Sequence, residues 1–274
     1  MGRRIAILLF LVALTALLGV SVGCEKLNEA SKNLGLSNEE IISGLKEALS
    51  VSAKGSAESA SSVGGYLNNA LIRIPLPKEV QPVADLIAKT DQIPLVGSLI
   101  KSSLNEATEQ FVKSMNRAAE IAAKPAGGIF LGAIKQMTIA DGLSILQGSD
   151  TAATRYLRGK TYDSLATVFK PIVQESMGQA EVIKYWEKLS SNYDQLVSNP
   201  LVKVAMPTIR QHVPNLPDKL EADLPTYVTN RGLDGLFVLI RGEEQKIRKD
   251  PTAYASSIIQ KVFSSPEAKK AKKS

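Results

Sequence analysis

Apolar residues recur three and four positions apart along most of this chain, and that period predicts helices. The clearest run is Ile100, Leu104, Ala107, Phe111, Met115, Ala118 and Ala122, a single stripe that predicts a helix over Leu95–Ala123. Pro125 and Gly127–Gly128 are expected to break it. Helices over Ile129–Met137 and Ile139–Leu146 are expected to follow, the second capped by Thr138 and stopped by Gly148. Upstream, Ser37 and Glu40 form a capping box for a helix carrying Ile41, Leu45, Ala48 and Leu49 on one face, ending near Gly64–Gly65.

The stretch Leu71–Pro77 breaks this rhythm. Its apolar residues alternate and it holds two prolines, so it is expected to be extended, with at most one short strand pair near Leu71–Leu76. A short helix over Lys78–Lys89 and a turn over Asp91–Pro94 come next. Downstream, Tyr162, Leu165, Val168, Phe169, Ile172 and Val173 form another stripe, with a kink expected at Pro171. A helix over Glu181–Val197 turns Val182, Tyr185, Trp186 and Leu189 inward. Asn199–Pro217 holds four prolines and reads as an ordered connector. Leu224–Arg248 aligns Tyr227, Leu233, Phe237, Ile240 and Ile247 on one side, Pro251 ends it, and Tyr254–Phe263 is the last helix. The pattern therefore predicts an all-α fold: one domain of about eight helices over residues 37–264, without an internal repeat.

The first 24 residues follow a different rule. Arg3 and Arg4 precede an uncharged apolar run from Ile5 that ends at Cys24, the one cysteine of the 274-residue chain. A basic start, an apolar run and small residues before a cut form an export signal, giving a signal peptide over residues 1–23. Ser21 and Gly23, at −3 and −1, suit ordinary signal peptidase. SVGC also resembles a lipobox, although most lipoboxes have Leu where Ser21 stands. One cysteine permits no internal disulfide, so its place directly after the cleavage signal favours lipidation of Cys24. Plain secretion and an uncleaved anchor are the alternatives, since an apolar run of about 18 residues can span a bilayer. The expectation is an exported protein facing the periplasm and held to a membrane, the outer favoured over the inner, by an N-terminal lipid. Residues 24–36 would be its tether.

The formal net charge of +6 suggests nucleic acid until its location is examined. Arg3 and Arg4 lie in the signal, and Lys269, Lys270, Lys272 and Lys273 in the tail. Without these six residues, 27 basic side chains face 27 acidic ones. The body is neutral, residues 265–274 are a basic tail expected to be disordered, and no nucleic-acid partner is expected.

Several ordered segments then resemble a known family. They are GLKEALS at Gly44–Ser50, IRIPLP at Ile72–Pro77, NRAAE at Asn116–Glu120 and AIKQMTIADGLSILQG at Ala133–Gly148. TAATRYLRGKT at Thr151–Thr161, FKPIV at Phe169–Val173, and LDGLF with EEQKIRKDP between Leu233 and Pro251 complete the set. The chain resembles, from about Gly44 to Phe263, an exported bacterial family catalogued only as a domain of unknown function, number forty-one ninety-seven. It departs at Arg241–Gly242, where Ala and an acidic residue are usual. The resemblance implies a fold, export and a bacterial origin, but no activity.

Candidate chemistry is sparse. The single histidine, His212, sits between prolines, and no His, Cys and carboxylate cluster offers a zinc site. No Gly-x-Ser-x-Gly elbow or phosphate-binding glycine loop occurs. No catalytic residue, metal or cofactor is expected. One polar position stands out: Glu244 falls on or beside the apolar stripe of its helix, where an unpaired carboxylate is costly. Arg248 is its i+4 neighbour, and Arg117, Arg155 and Arg158 are tertiary candidates, with hydroxyls from Thr151, Thr154 and Tyr156 nearby. These eight residues read as a buried polar network locking helices together, or as an anion site in which Arg155 and Arg158 face a carboxylate or phosphate. Phe111, Met115, Phe130, Phe169 and Phe237 read as core. The functional expectation is non-catalytic binding or scaffolding in the cell envelope, with an envelope protein or a lipid as partner. The alternatives are a carrier with an apolar groove for an amphiphile, and, more weakly, an enzyme using Glu120 or Glu244.

Overall fold

Ser37 starts the first helix as its sequence dictates. Its hydroxyl accepts the Glu40 amide at 3.2 Å and its own amide donates to the Glu40 carboxylate at 3.1 Å. Helix α1 then runs Asn38–Ser61 and buries Ile41, Leu45, Ala48, Leu49, Ala53, Ala57 and Ala60. The computed structural model describes residues 35–140 and 142–270. The signal, Cys24, the tether up to residue 34, and Lys272 and Lys273 lie outside the described residues. No described helix is long and apolar enough to cross a membrane.

The remaining helices are α2 (Gln81–Ala88), α3 (Gly97–Gln136), α4 (Gly142–Leu146), α5 (Ala152–Gln179) and α6 (Val182–Ser198). They continue as α7 (Pro200–His212), α8 (Leu224–Lys249), α9 (Ser257–Phe263) and α10 (Pro266–Lys269). Eight of these have seven or more residues, and the fold is all-α. The 40-residue α3, about 60 Å long at 1.5 Å per residue, is the spine, packed by α1, α5, α6 and α8. Phe111, Met115, Phe130, Phe169 and Phe237 all lie in the core, as their periodicity predicts.

Two prolines, Pro125 and Pro207, expected to break a helix or to lie in a connector, instead lie inside helices, and Pro171 lies inside one as its stripe predicts. Pro125 was expected to end a helix, yet α3 continues for 11 residues beyond it, to Gln136. The ring is exposed, while Ala122, Ala126, Phe130 and Ile134 stay buried on the opposite side. Interior proline costs about 3 kcal/mol, and burying Phe130 and Ile134 returns about 1.5–3 kcal/mol each. Pro171 is likewise exposed, and α5 is continuous through it. The expected connector Asn199–Pro217 is mostly helix α7: Asn199 caps it through the Leu201 amide at 2.9 Å, Pro200 takes the first turn and Pro207 faces solvent.

Other expectations are corrected at element ends. The helix foreseen over Ile139–Leu146 shrinks to Gly142–Leu146, and the Thr138 carbonyl accepts the Tyr156 hydroxyl at 2.7 Å. The tail expected to be disordered from residue 265 opens with one helical turn, α10, capped by Ser265. Residues Leu71–Leu76, where at most one short strand pair was expected, form no strand, which agrees with that bound. The Ile74 amide and carbonyl pair with the side chain of Asn116, at 2.9 and 2.8 Å, so one amide side chain replaces a neighbouring strand. Close contacts complete the packing: a Cβ on Gly44 would lie 2.6 Å from Val262 of α9, and one on Gly235 2.8 Å from the Tyr66 ring.

Candidate functional site

Helices α5 and α8 run antiparallel. Thr154 meets Glu244, Arg158 meets Asp234, and Lys170 meets Thr226, so ascending positions on α5 face descending positions on α8. Thr151, Thr154, Arg155 and Arg158 share one face of α5 and its start, while Asp234, Phe237, Val238 and Arg241 share one face of α8. Facing each other, these two rows form the polar seam of the molecule.

At one end of the seam Glu244 is 1% exposed. Its carboxylate accepts the Ala153 amide at 3.0 Å, the Thr154 amide at 2.7 Å and the Thr154 hydroxyl at 2.7 Å. Thr151, at the cap position of α5, makes no side-chain cap, so a carboxylate from another helix supplies it. Arg248 donates Nε to Glu244 at 2.8 Å. Its guanidinium also reaches the carbonyls of Leu146 at 2.8 Å and Ile145 at 3.2 Å, which close α4. One ion pair thus joins the end of α4, the start of α5 and the last turns of α8.

A second buried carboxylate has a related task. Glu120 on α3, 2% exposed, accepts the amides of Tyr66 at 3.3 Å and Leu67 at 3.4 Å and pairs with Arg117 at 3.2 Å. The Tyr66 hydroxyl donates to the Gly232 carbonyl at 2.6 Å, and burial pushes that phenol well above its usual range. Together with Asn116, Glu120 holds residues 66–74 against α3 and α8.

Beyond Glu244 the seam opens into a cleft of about 240 Å³ lined by Thr151, Thr154, Arg155, Arg158, Phe237, Val238 and Arg241. Arg158 is clamped: it pairs with Asp234 at 2.6 Å and stacks 4.4 Å from the centre of the Tyr162 ring and 5.3 Å from that of Phe237. The Tyr162 hydroxyl donates to Asp234 at 3.0 Å, and burial, reinforced by that carboxylate, pushes its pKa up to about 12. Arg155 donates to the Ser149 hydroxyl. Arg241 forms no hydrogen bond or ion pair among the described residues.

Of the eight residues singled out in the sequence, Thr154 and Arg248 both bond to Glu244. Arg155, Arg158 and Thr151 line the adjoining cleft, Tyr156 turns to the Thr138 carbonyl, and Arg117 serves Glu120. Sequence reasoning missed Asp234 and gave Arg241 no role, although both recur with Phe237 at intervals of three and four. It had no signal for Asn116. His212 ends α7, where its carbonyl accepts Lys89 at 2.6 Å. Among the described residues no group of three His, Cys, Asp or Glu side chains could hold a metal.

Fold and site together define a single-domain all-helical protein whose buried carboxylates cap its own backbone and whose arginine-lined cleft adjoins one of them. The chain belongs to the family described as Protein of unknown function (DUF4197), whose match covers residues 35–264. Neither the curated proteins nor the solved structures offer a match.

Proposed function

We propose that this chain is an exported lipoprotein of the bacterial cell envelope, anchored through Cys24, whose helical body binds or scaffolds rather than catalyses. The observation that carries the non-catalytic half is the use of Glu120 and Glu244. Both are buried, and both are engaged by backbone amides and an arginine. An acid–base catalyst needs a carboxylate within reach of substrate, and these two are committed to the fold. The anchored half rests on Cys24 standing directly after the apolar leader. The test is growth with labelled fatty acid. The parent chain takes up label and fractionates with membranes, whereas Cys24→Ser does neither. A Cys24→Ser chain that stays on membranes without label has an uncleaved anchor instead. Mild extraction and mass spectrometry of the native protein then identify the bound partner, and recovery of a chemical turnover would overturn the non-catalytic reading.

A further inference from the structure

We propose that the cleft between α5 and α8 binds the phosphate group of a small phosphomonoester, in line with a binding role and resting on it. Three guanidinium groups, of Arg155, Arg158 and Arg241, line one cavity, and only Arg158 has a carboxylate partner, Asp234. The other acidic groups nearby are engaged elsewhere: Glu244 with Arg248, Glu243 with Lys246, and Asp150 with Gln245. The cleft lining carries three positive charges against the one carboxylate that pairs with it, a local surplus of two; exposed Asp150, whose charge the neutral Gln245 amide does not cancel, stands outside the lining. A phosphomonoester carries about −1.5 to −2 at neutral pH and cancels that surplus; a single carboxylate would leave half of it.

Geometry points the same way. The first amides of α5 are all occupied, by Ser149, Glu244 and Thr151, so the anion is held by side chains and not by the helix start. Thr154 spends its hydroxyl proton on Glu244, which leaves the Thr151 hydroxyl, 3.5 Å from that of Ser149, beside the arginines. Arg158 is held in place by Asp234 and the Tyr162 ring before any ligand arrives. The volume of about 240 Å³ equals roughly eight waters at ~30 Å³ each. It admits a phosphate and a small substituent, for which Phe237 and Val238 supply an apolar wall.

The experiment is calorimetric titration of the full-length protein in neutral detergent with phenyl phosphate, with acetate as the monoanion control. Phenyl phosphate should bind saturably and acetate should not. Affinity should fall between about pH 8 and pH 5 as the second phosphate proton, with a pKa near 6, returns. Arg241→Ala, at an exposed and unpaired residue, should unfold like the parent yet bind about tenfold to a hundredfold more weakly, the loss expected for a charged hydrogen bond. Absence of saturable binding both to phenyl phosphate and to phosphatidic acid vesicles, or Arg241→Ala binding as the parent does, overturns the proposal. Vesicles of phosphatidylcholine with and without phosphatidic acid, offered to the Cys24→Ser chain that lacks the lipid, form the second arm. Arg241-dependent binding to the phosphatidic acid vesicles alone assigns the phosphate to a lipid headgroup, and binding to phenyl phosphate alone to a soluble ligand. Release of phenol would overturn the non-catalytic reading and leave the site standing. A Cys24→Ser chain that loses its lipid and still binds separates the anchor from the cleft.

Discussion

Glu244→Ala is the sharpest test of the polar seam. The substitution deletes one carboxylate and orphans three buried donors, the amides of Ala153 and Thr154 and the Thr154 hydroxyl. It also leaves Arg248, whose side chain is 11% exposed, without its counter-charge. Each buried donor left unpaired costs about 1–3 kcal/mol, and breaking a buried pair from one side costs about 3–5 kcal/mol. These losses share atoms, and water entering the vacated space recovers part of them, so they do not add. The expected net cost is about 3–5 kcal/mol, a large part of the roughly 5–15 kcal/mol that holds a domain together. For a domain of this size that lowers Tm by roughly 10 °C. Circular dichroism melts and urea titrations of the purified parent, Glu244→Ala and Glu244→Gln proteins measure it. Glu244→Gln keeps one acceptor oxygen and should fall between the other two. Amide exchange locates the effect, because protection should vanish first at Ala153 and Thr154. The double variant with Arg248→Ala should be less unstable than the two single losses summed. An alanine variant within about 1 kcal/mol of the parent, with exchange at Ala153 and Thr154 unchanged, would refute the reasoning.

Asn116→Leu preserves volume and strips both backbone partners from Ile74. It should cost about 2–4 kcal/mol and hasten tryptic cleavage after Arg73, and an unchanged digest would count against the strand-mimic reading. Alkaline stability follows from the buried phenols. Tyr162 has a folded pKa of about 12, raised by burial and Asp234 above an unfolded value of about 10. Its contribution is complete below pH about 10 and lost as pH rises through about 12, so urea midpoints should drop across that window while tyrosinate absorbance appears late. Early ionisation of Tyr162 would contradict its burial. Gly44→Ala drives a Cβ into Val262 and should cost about 1–3 kcal/mol, with Val262→Ala restoring most of the loss on the same scale.

The fold was readable wherever apolar spacing alone decides structure. The stripe Ile100 to Ala122, the capping box at Ser37 and the face of α8 all reappear as buried helix surfaces. Pro125 and Pro207 were misread because spacing shows that a bond is lost but not where the ring points. Pro125, Pro171 and Pro207 all face solvent, so the buried stripes beside them continue. At the site, the i+4 pairing of Glu244 with Arg248 was legible because it is local. The Ala153 and Thr154 amides, 91 and 90 positions away, were not, since any helix start could have taken that carboxylate. Asn116 was hidden for a related reason: a buried amide inside an apolar stripe shows its partner only when the chain returns to it, 42 positions apart.

Glu120, Asn116 and Glu244 solve one problem in three places. Each is a polar side chain on a long core helix that satisfies backbone amides of another segment, where no local residue does so. Such links place segments with hydrogen-bond accuracy, which apolar packing among alanines and leucines does not impose by itself. For the seam this has a mechanical consequence. By fixing the start of α5, Glu244 sets the height of Thr151, Arg155 and Arg158 against Phe237 and Arg241 on α8. The buried network and the arginine cleft, alternatives when the residues are read one by one, are then successive layers of one construction: the inner layer gives the outer its geometry. Glu244→Gln should therefore weaken phenyl phosphate binding without touching the ligand, whereas Arg241→Ala should weaken it without touching stability.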